Sequence, residues 1–166
     1  MPYTLWHCGK LIGETDFEDE AGERAPRGRP RFHLAGAFRP TEYGRQILPR
    51  VCGILTAGAD LKDELDRRGL DPDEAPPEVL EQLFETTAAG AHIIDIGRVL
   101  SDVELRAPNG HTLAFASIGF MELAELASLS RRLSGDDSIG PTTLRRDVPE
   151  FIVSVTLHNV GGGLSQ

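Results

Sequence analysis

The stretch HCGKLIGETDFE, residues 7–18, returns in altered form as DIGRVLSDVELR, residues 95–106. With Gly9 set on Gly97, Leu5 meets Ile93, Lys10 meets Arg98, and Leu11 and Ile12 meet Val99 and Leu100. Glu14 then meets Asp102, Asp16 meets Glu104 and Phe17 meets Leu105. Beyond loops of unequal length, Phe38 falls on Ile118, Glu42 on Glu122 and Tyr43 on Leu123. The apolar and polar order holds over roughly forty positions, and the gap falls in a loop, where insertions are tolerated. Such a chain is expected to build one unit twice: strand, turn, strand, loop, strand, helix. A single βββα unit is too small to bury its own apolar face. Two copies should therefore face each other and close a sandwich or small barrel. Alternation and capping are generic to βββα segments, so the repetition speaks to architecture and not to activity.

The local signals fill in this frame. YTLWH and KLIGETDF flank Cys8-Gly9, which reads as a tight β-hairpin. Residues 19–31 are polar, rich in Gly and Pro and without period, and read as a loop. FHLAGAF restores a strand, and Thr41 is a candidate N-cap for the helix that follows. Pro49 should kink that helix or start a second one, and Gly58 should close it. Asp60 can cap a further helix that stops at Gly69. Val79, Leu80, Leu83 and Phe84 form the face of another, ended by Gly90. HIIDIGRVLSDVELR reads as two strands turning at Gly97-Arg98, and Asn109-Gly110 as a second hairpin turn. Leu123, Leu126, Leu129 and Leu133 mark a helix stopped by Gly135, and Phe151, Val153, Val155 and Leu157 mark one face of a last strand.

The expected class is α+β, in a single domain spanning residues 1–160. It comprises pseudo-repeat 1 over about 3–57, a helical insert over 59–90, pseudo-repeat 2 over about 91–134 and a closing C-terminal strand over 150–158. Residues 161–166, GGGLSQ, read as a flexible tail.

Composition narrows the functional classes. The chain is 40% hydrophobic over 166 residues, enough for a core that needs no disulfide or metal staple. A net charge of −9 opposes general binding to nucleic acid or anionic membrane. No apolar run reaches the ~20 residues of a membrane span, and two distant cysteines form no disulfide framework. A cytoplasmic setting is expected.

Candidate chemistry is sparse. Arg24, Arg27, Arg29 and Arg31 cluster in the first loop, after the acidic run Glu18-Asp19-Glu20, and could dock an acidic protein partner. Trp6 and Tyr43 are candidate aromatic contacts, being the kind of residue that anchors interfaces. His7 and Cys8 are neighbours on a strand, so their side chains should point to opposite faces and not share a metal. Asp136 and Asp137 read as solvated loop carboxylates. No nucleophile-elbow, phosphate-loop, dinucleotide-loop or metalloprotease pattern occurs. No catalytic residue, metal or cofactor is therefore assigned. The expected function is a non-catalytic module that binds another protein or serves as an accessory subunit. The alternatives are a small-molecule binder or enzyme using a pocket between the pseudo-repeats, and weak nucleic-acid binding through the Arg loop. Each is compatible with a homo-oligomer.

Overall fold

The computed structural model describes residues 1–19, 33–135 and 149–157. The Arg24, Arg27, Arg29 and Arg31 cluster, Asp136 and Asp137, His158 and the C-terminal tail lie outside the described residues.

The first half forms much as its pattern dictates. Strands β1 (Tyr3–His7) and β2 (Lys10–Thr15) are joined by a two-residue turn with positive φ at Cys8, 48°, and Gly9, 75°. A turn with two positive φ values matches the natural twist of the strands it joins. A short β3 (Glu18–Asp19) pairs with β4 (His33–Pro40), which also pairs with β2. Thr41 then caps α1 (Glu42–Val51), as expected: its hydroxyl oxygen accepts from the Gly44 N–H at 3.0 Å. Gly44 sits so close to β2 that a Cβ there would lie 1.8 Å from the Ile12 carbonyl oxygen. This position seats α1 directly on the sheet. Pro49 neither breaks nor restarts α1, which continues through it to Val51. The break comes at Cys52-Gly53, where Gly53 has φ 90°, and α2 (Ile54–Arg67) starts there. Gly58 and Asp60 are therefore interior to α2 rather than a stop and a cap. Gly69, with φ 66°, does end it, and the Leu70 N–H returns to the Leu65 carbonyl at 3.0 Å.

The second half departs from the repeat. Residues 91–101, expected as the opening hairpin of a second unit, belong to helix α4 (Ala88–Ser101), which follows α3 (Pro77–Thr86). Thr87 starts α4 by accepting from the Gly90 N–H at 3.0 Å. Ile96 and Val99, three apart, are both buried, and Ile93 and Leu100 are half-buried on the same helix. The apolar residues thus fit a helical period as well as an alternating one, and the Thr87 cap and the burial of Ile96 and Val99 both favour the helix. Gly90 opens α4 instead of ending α3: a Cβ there would lie 2.4 Å from the Phe84 Cα, so the glycine lets the two helices meet closely. Duplication is consequently not shown. Only the strand-then-helix ends of the two halves share element types, β4 with α1 and β7 (Phe115–Glu122) with α5 (Leu123–Ser134).

The remaining strands are β5 (Val103–Arg106), β6 (Thr112–Leu113) and β8 (Phe151–Leu157). Asn109-Gly110 makes the β5–β6 turn as expected, with Gly110 at φ 83°. The sheet runs β6-β5-β1-β2-β4-β8-β7, antiparallel at every pairing. Its two ends, β6 and β7, are separated in the chain by Ala114 alone. One bent stretch therefore serves both edges, and the sheet is barrel-like and nearly closed. Strand β8 covers no edge; it lies between β4 and β7 and joins the two halves. Leu5, Leu105, Val153 and Val155, each 0% exposed, fill the core, with Phe38 and Phe120 packed edge to face at 5.0 Å. Ala57, Leu61, Leu65, Leu83 and Ile96 are buried outside that cluster, among the helices.

Candidate functional site

Where α1 breaks at Cys52-Gly53, the new helix has no cap of its own, because Gly53 carries no side chain. Its first N–H groups need an acceptor. Glu125, on α5, supplies one from 72 residues away. Its carboxylate accepts from the Gly53 N–H at 3.0 Å, the Thr56 N–H at 3.1 Å and the Thr56 hydroxyl at 2.9 Å. The negative charge also suits the positive end of the helix dipole. Two turns along α5, Arg132 donates to Asp60 at 2.6 Å and to Asp63. Helix α5 is thereby strapped to α2 at two levels, although none of its own residues is buried.

Between these helices lies an open cleft of about 490 Å³, within the usual range for small-molecule sites. Pro49 and Cys52 form one wall, Ala88 and His92 of α4 another, and Glu122 and Glu125 a third. Among the described residues the lining carries three carboxylates, Asp60, Glu122 and Glu125, one histidine, and no lysine or arginine. Asp60 and Glu125 are engaged with other groups. Glu122 makes no side-chain hydrogen bond or ion pair among the described residues and also borders a neighbouring pocket of about 210 Å³. His92 Nε2 lies 2.8 Å from the Cys52 carbonyl oxygen. Since a carbonyl only accepts, Nε2 carries the proton, and Nδ1 is the acceptor in the neutral ring. Burial pushes the Cys52 thiol up to about 12, and the Glu125 and Glu122 carboxylates push in the same direction. Both effects favour the thiol over the thiolate at this position.

The residues singled out from the sequence fall elsewhere. Trp6 lies on the outer face of β1, half-buried, under the Arg106 guanidinium at 4.3 Å from its ring. Tyr43 packs against the core from α1, with its hydroxyl 3.1 Å from His7 Nδ1. Neither lines the cleft, nor do they form one surface. The opposite-face argument for His7 and Cys8 fails. Cys8 belongs to the turn, where strand alternation does not apply, and its Sγ lies 3.7 Å from His7 Nε2. With Asp102 these two form a group of three donors within 4.8 Å of one another. The cleft draws on both expected halves, with Pro49, Cys52 and Ala57 from residues 3–57 and His92, Glu122 and Glu125 from residues 91–134, and Asp60, Ala88 and Ala89 of the helical insert complete its lining. Glu122, Glu125 and His92 were legible only as ordinary helix and strand residues.

Among the described residues no helix is long and apolar enough to cross a membrane. The chain matches no protein-family model, no curated protein and no solved structure.

Proposed function

We propose that the protein binds a small cationic molecule, an amine or guanidine, in the cleft between α2, α4 and α5. The observation that carries this reading is the Glu122 carboxylate, half-buried and without a side-chain partner among the described residues, in a cleft lined by no cation. A carboxylate held out of bulk water gains most from a charged hydrogen-bond donor. Glu125, whose donors are all uncharged, adds to the negative field that draws such a ligand in, whereas Asp60 is balanced by Arg132. His92, with Nε2 engaged by the Cys52 carbonyl, leaves Nδ1 for a second polar contact with the same molecule. Nothing here calls for catalysis; the site recognises charge and shape.

A panel of monoamines, diamines, guanidines, neutral analogues and carboxylates, read by thermal shift, tests this. A cationic member should stabilise the protein, and Glu122→Gln should weaken its binding by about ten- to a hundredfold, the loss of one charge-assisted bond. Equal response to amines and carboxylates would contradict the reading.

A second reading, a protein-binding module, draws support from α5. This helix buries none of its residues, and Leu133 is 76% exposed. The Arg24, Arg27, Arg29 and Arg31 cluster would serve the same role as a docking arm. Replacing the four arginines with alanine should abolish capture of a defined partner while leaving the melting temperature unchanged.

A further inference from the structure

His7, Cys8 and Asp102 reach one another from three settings: the end of β1, the hairpin turn, and the C-cap of α4. His7 is buried, whereas Cys8 and Asp102 face solvent. Backbone bonds hold the group in place. The Cys8 N–H donates to the Asp102 carbonyl at 3.4 Å, and the Asp102 N–H donates to Val99 at 3.2 Å.

The imidazole is oriented for ligation. Nδ1 lies 3.1 Å from the Tyr43 hydroxyl, and Nε2 lies 3.7 Å from Cys8 Sγ. A proton on Nδ1, donated to the Tyr43 oxygen, leaves the Nε2 lone pair aimed at the sulfur. Zinc–nitrogen and zinc–sulfur bonds of about 2.0 and 2.3 Å at a tetrahedral angle set the two ligand atoms about 3.5 Å apart. The observed separation is close to that. A hydrogen-bond partner on the remote nitrogen is also what fixes the tautomer of a ligating histidine.

We infer that His7 Nε2, Cys8 Sγ and an Asp102 carboxylate oxygen bind a zinc-class divalent cation. This site is independent of the helical cleft. Thiolate, imidazole and carboxylate together suit zinc or cobalt, while magnesium and calcium take oxygen ligands. On binding, Cys8 releases its thiol proton to solvent, and His7 stays neutral. The thiolate and carboxylate then balance the two charges of the ion. With Cys8 and Asp102 at the surface, the fourth position opens to water, the pattern of three-ligand zinc sites.

The test is a cobalt(II) titration of the whole chain, watched for the thiolate-to-cobalt charge-transfer band. The site predicts one equivalent bound with that band, displacement by one equivalent of zinc, and protection of Cys8 from alkylation. Cys8→Ser should lose the band, and Tyr43→Phe should keep it while binding about tenfold more weakly. Asp102→Asn should also weaken binding. No band with the wild-type chain at stoichiometric cobalt overturns the proposal, and the short contact is then a thiol–imidazole hydrogen bond. A band that survives in Cys8→Ser overturns it as well, because Cys52 would then be the ligand. Unchanged affinity in Asp102→Asn removes the three-donor site.

Discussion

Cys52 is buried beside two carboxylates, with its thiol pushed up to about 12, while Cys8 lies exposed in a turn. A thiol-modifying reagent at neutral pH should therefore titrate one cysteine quickly and the second only on unfolding. Equal rates for both in the folded protein would contradict the burial of Cys52. Thr15 makes a second residue-level case. It is 0% exposed, and its hydroxyl oxygen has no hydrogen-bond partner among the described residues. An unpaired buried hydroxyl costs about 1–3 kcal/mol, and an apolar group of the same shape removes that cost. Thr15→Val should raise the melting temperature by roughly 2–4 °C, the shift that about 1 kcal/mol gives a chain of this size. A fall would show that the hydroxyl is satisfied. At this scale the sequence was legible where the chemistry is local. Thr41 as cap and Gly9 and Gly110 as turn residues rest on near neighbours. The closeness of His7 and Cys8 is not legible from strand alternation, because the strand ends at His7 and Cys8 takes a turn conformation with φ 48°.

Among elements, α5 and α2 depend on each other through Glu125. Glu125→Ala leaves the Gly53 and Thr56 N–H groups without their acceptor and should cost about 1–2 kcal/mol, as lost N-caps do. Glu125→Gln should fall between, keeping an acceptor but losing the charge. Glu81→Ala, on the exposed side of α3, serves as control and should stay within about 0.5 kcal/mol. Equal denaturation midpoints for all three variants and the wild type would contradict the cap. This contact could not be read in advance, because its partners stand about 70 positions apart and Glu125 resembles any first-turn glutamate. The misread α4 has a different cause. Its β-branched residues suit strands, its apolar spacing fits both periods, and Thr87 sits where a helix end was expected. The Thr87 cap and the tertiary packing of Ile96 and Val99 together favour the helix. Helix α5 was legible in length and stop signal, yet its leucine stripe does not predict burial, for none of its residues is buried.

At the scale of the molecule, a repeated phrase led to an expected pair of units, and the chain instead makes one nearly closed sheet with its helices gathered around it. The barrel was legible in outline because strand alternation and hairpin turns are local signals. Its closure was not, since it depends on residues 112–122 serving two edges around Ala114. The cleft depends on that same assembly. The end of β7 brings Glu122 to it, α1 and α2 bring the Cys52-Gly53 break, and α4 brings His92. The most direct measurement is a two-dimensional amide NMR titration of the labelled protein with the amine and guanidine panel. Saturable shifts centred on residues 52–57, 88–92 and 122–125, absent in Glu122→Gln, are the predicted result. No saturable shift with any cation, or shifts centred away from these segments, would contradict the cleft as the binding site.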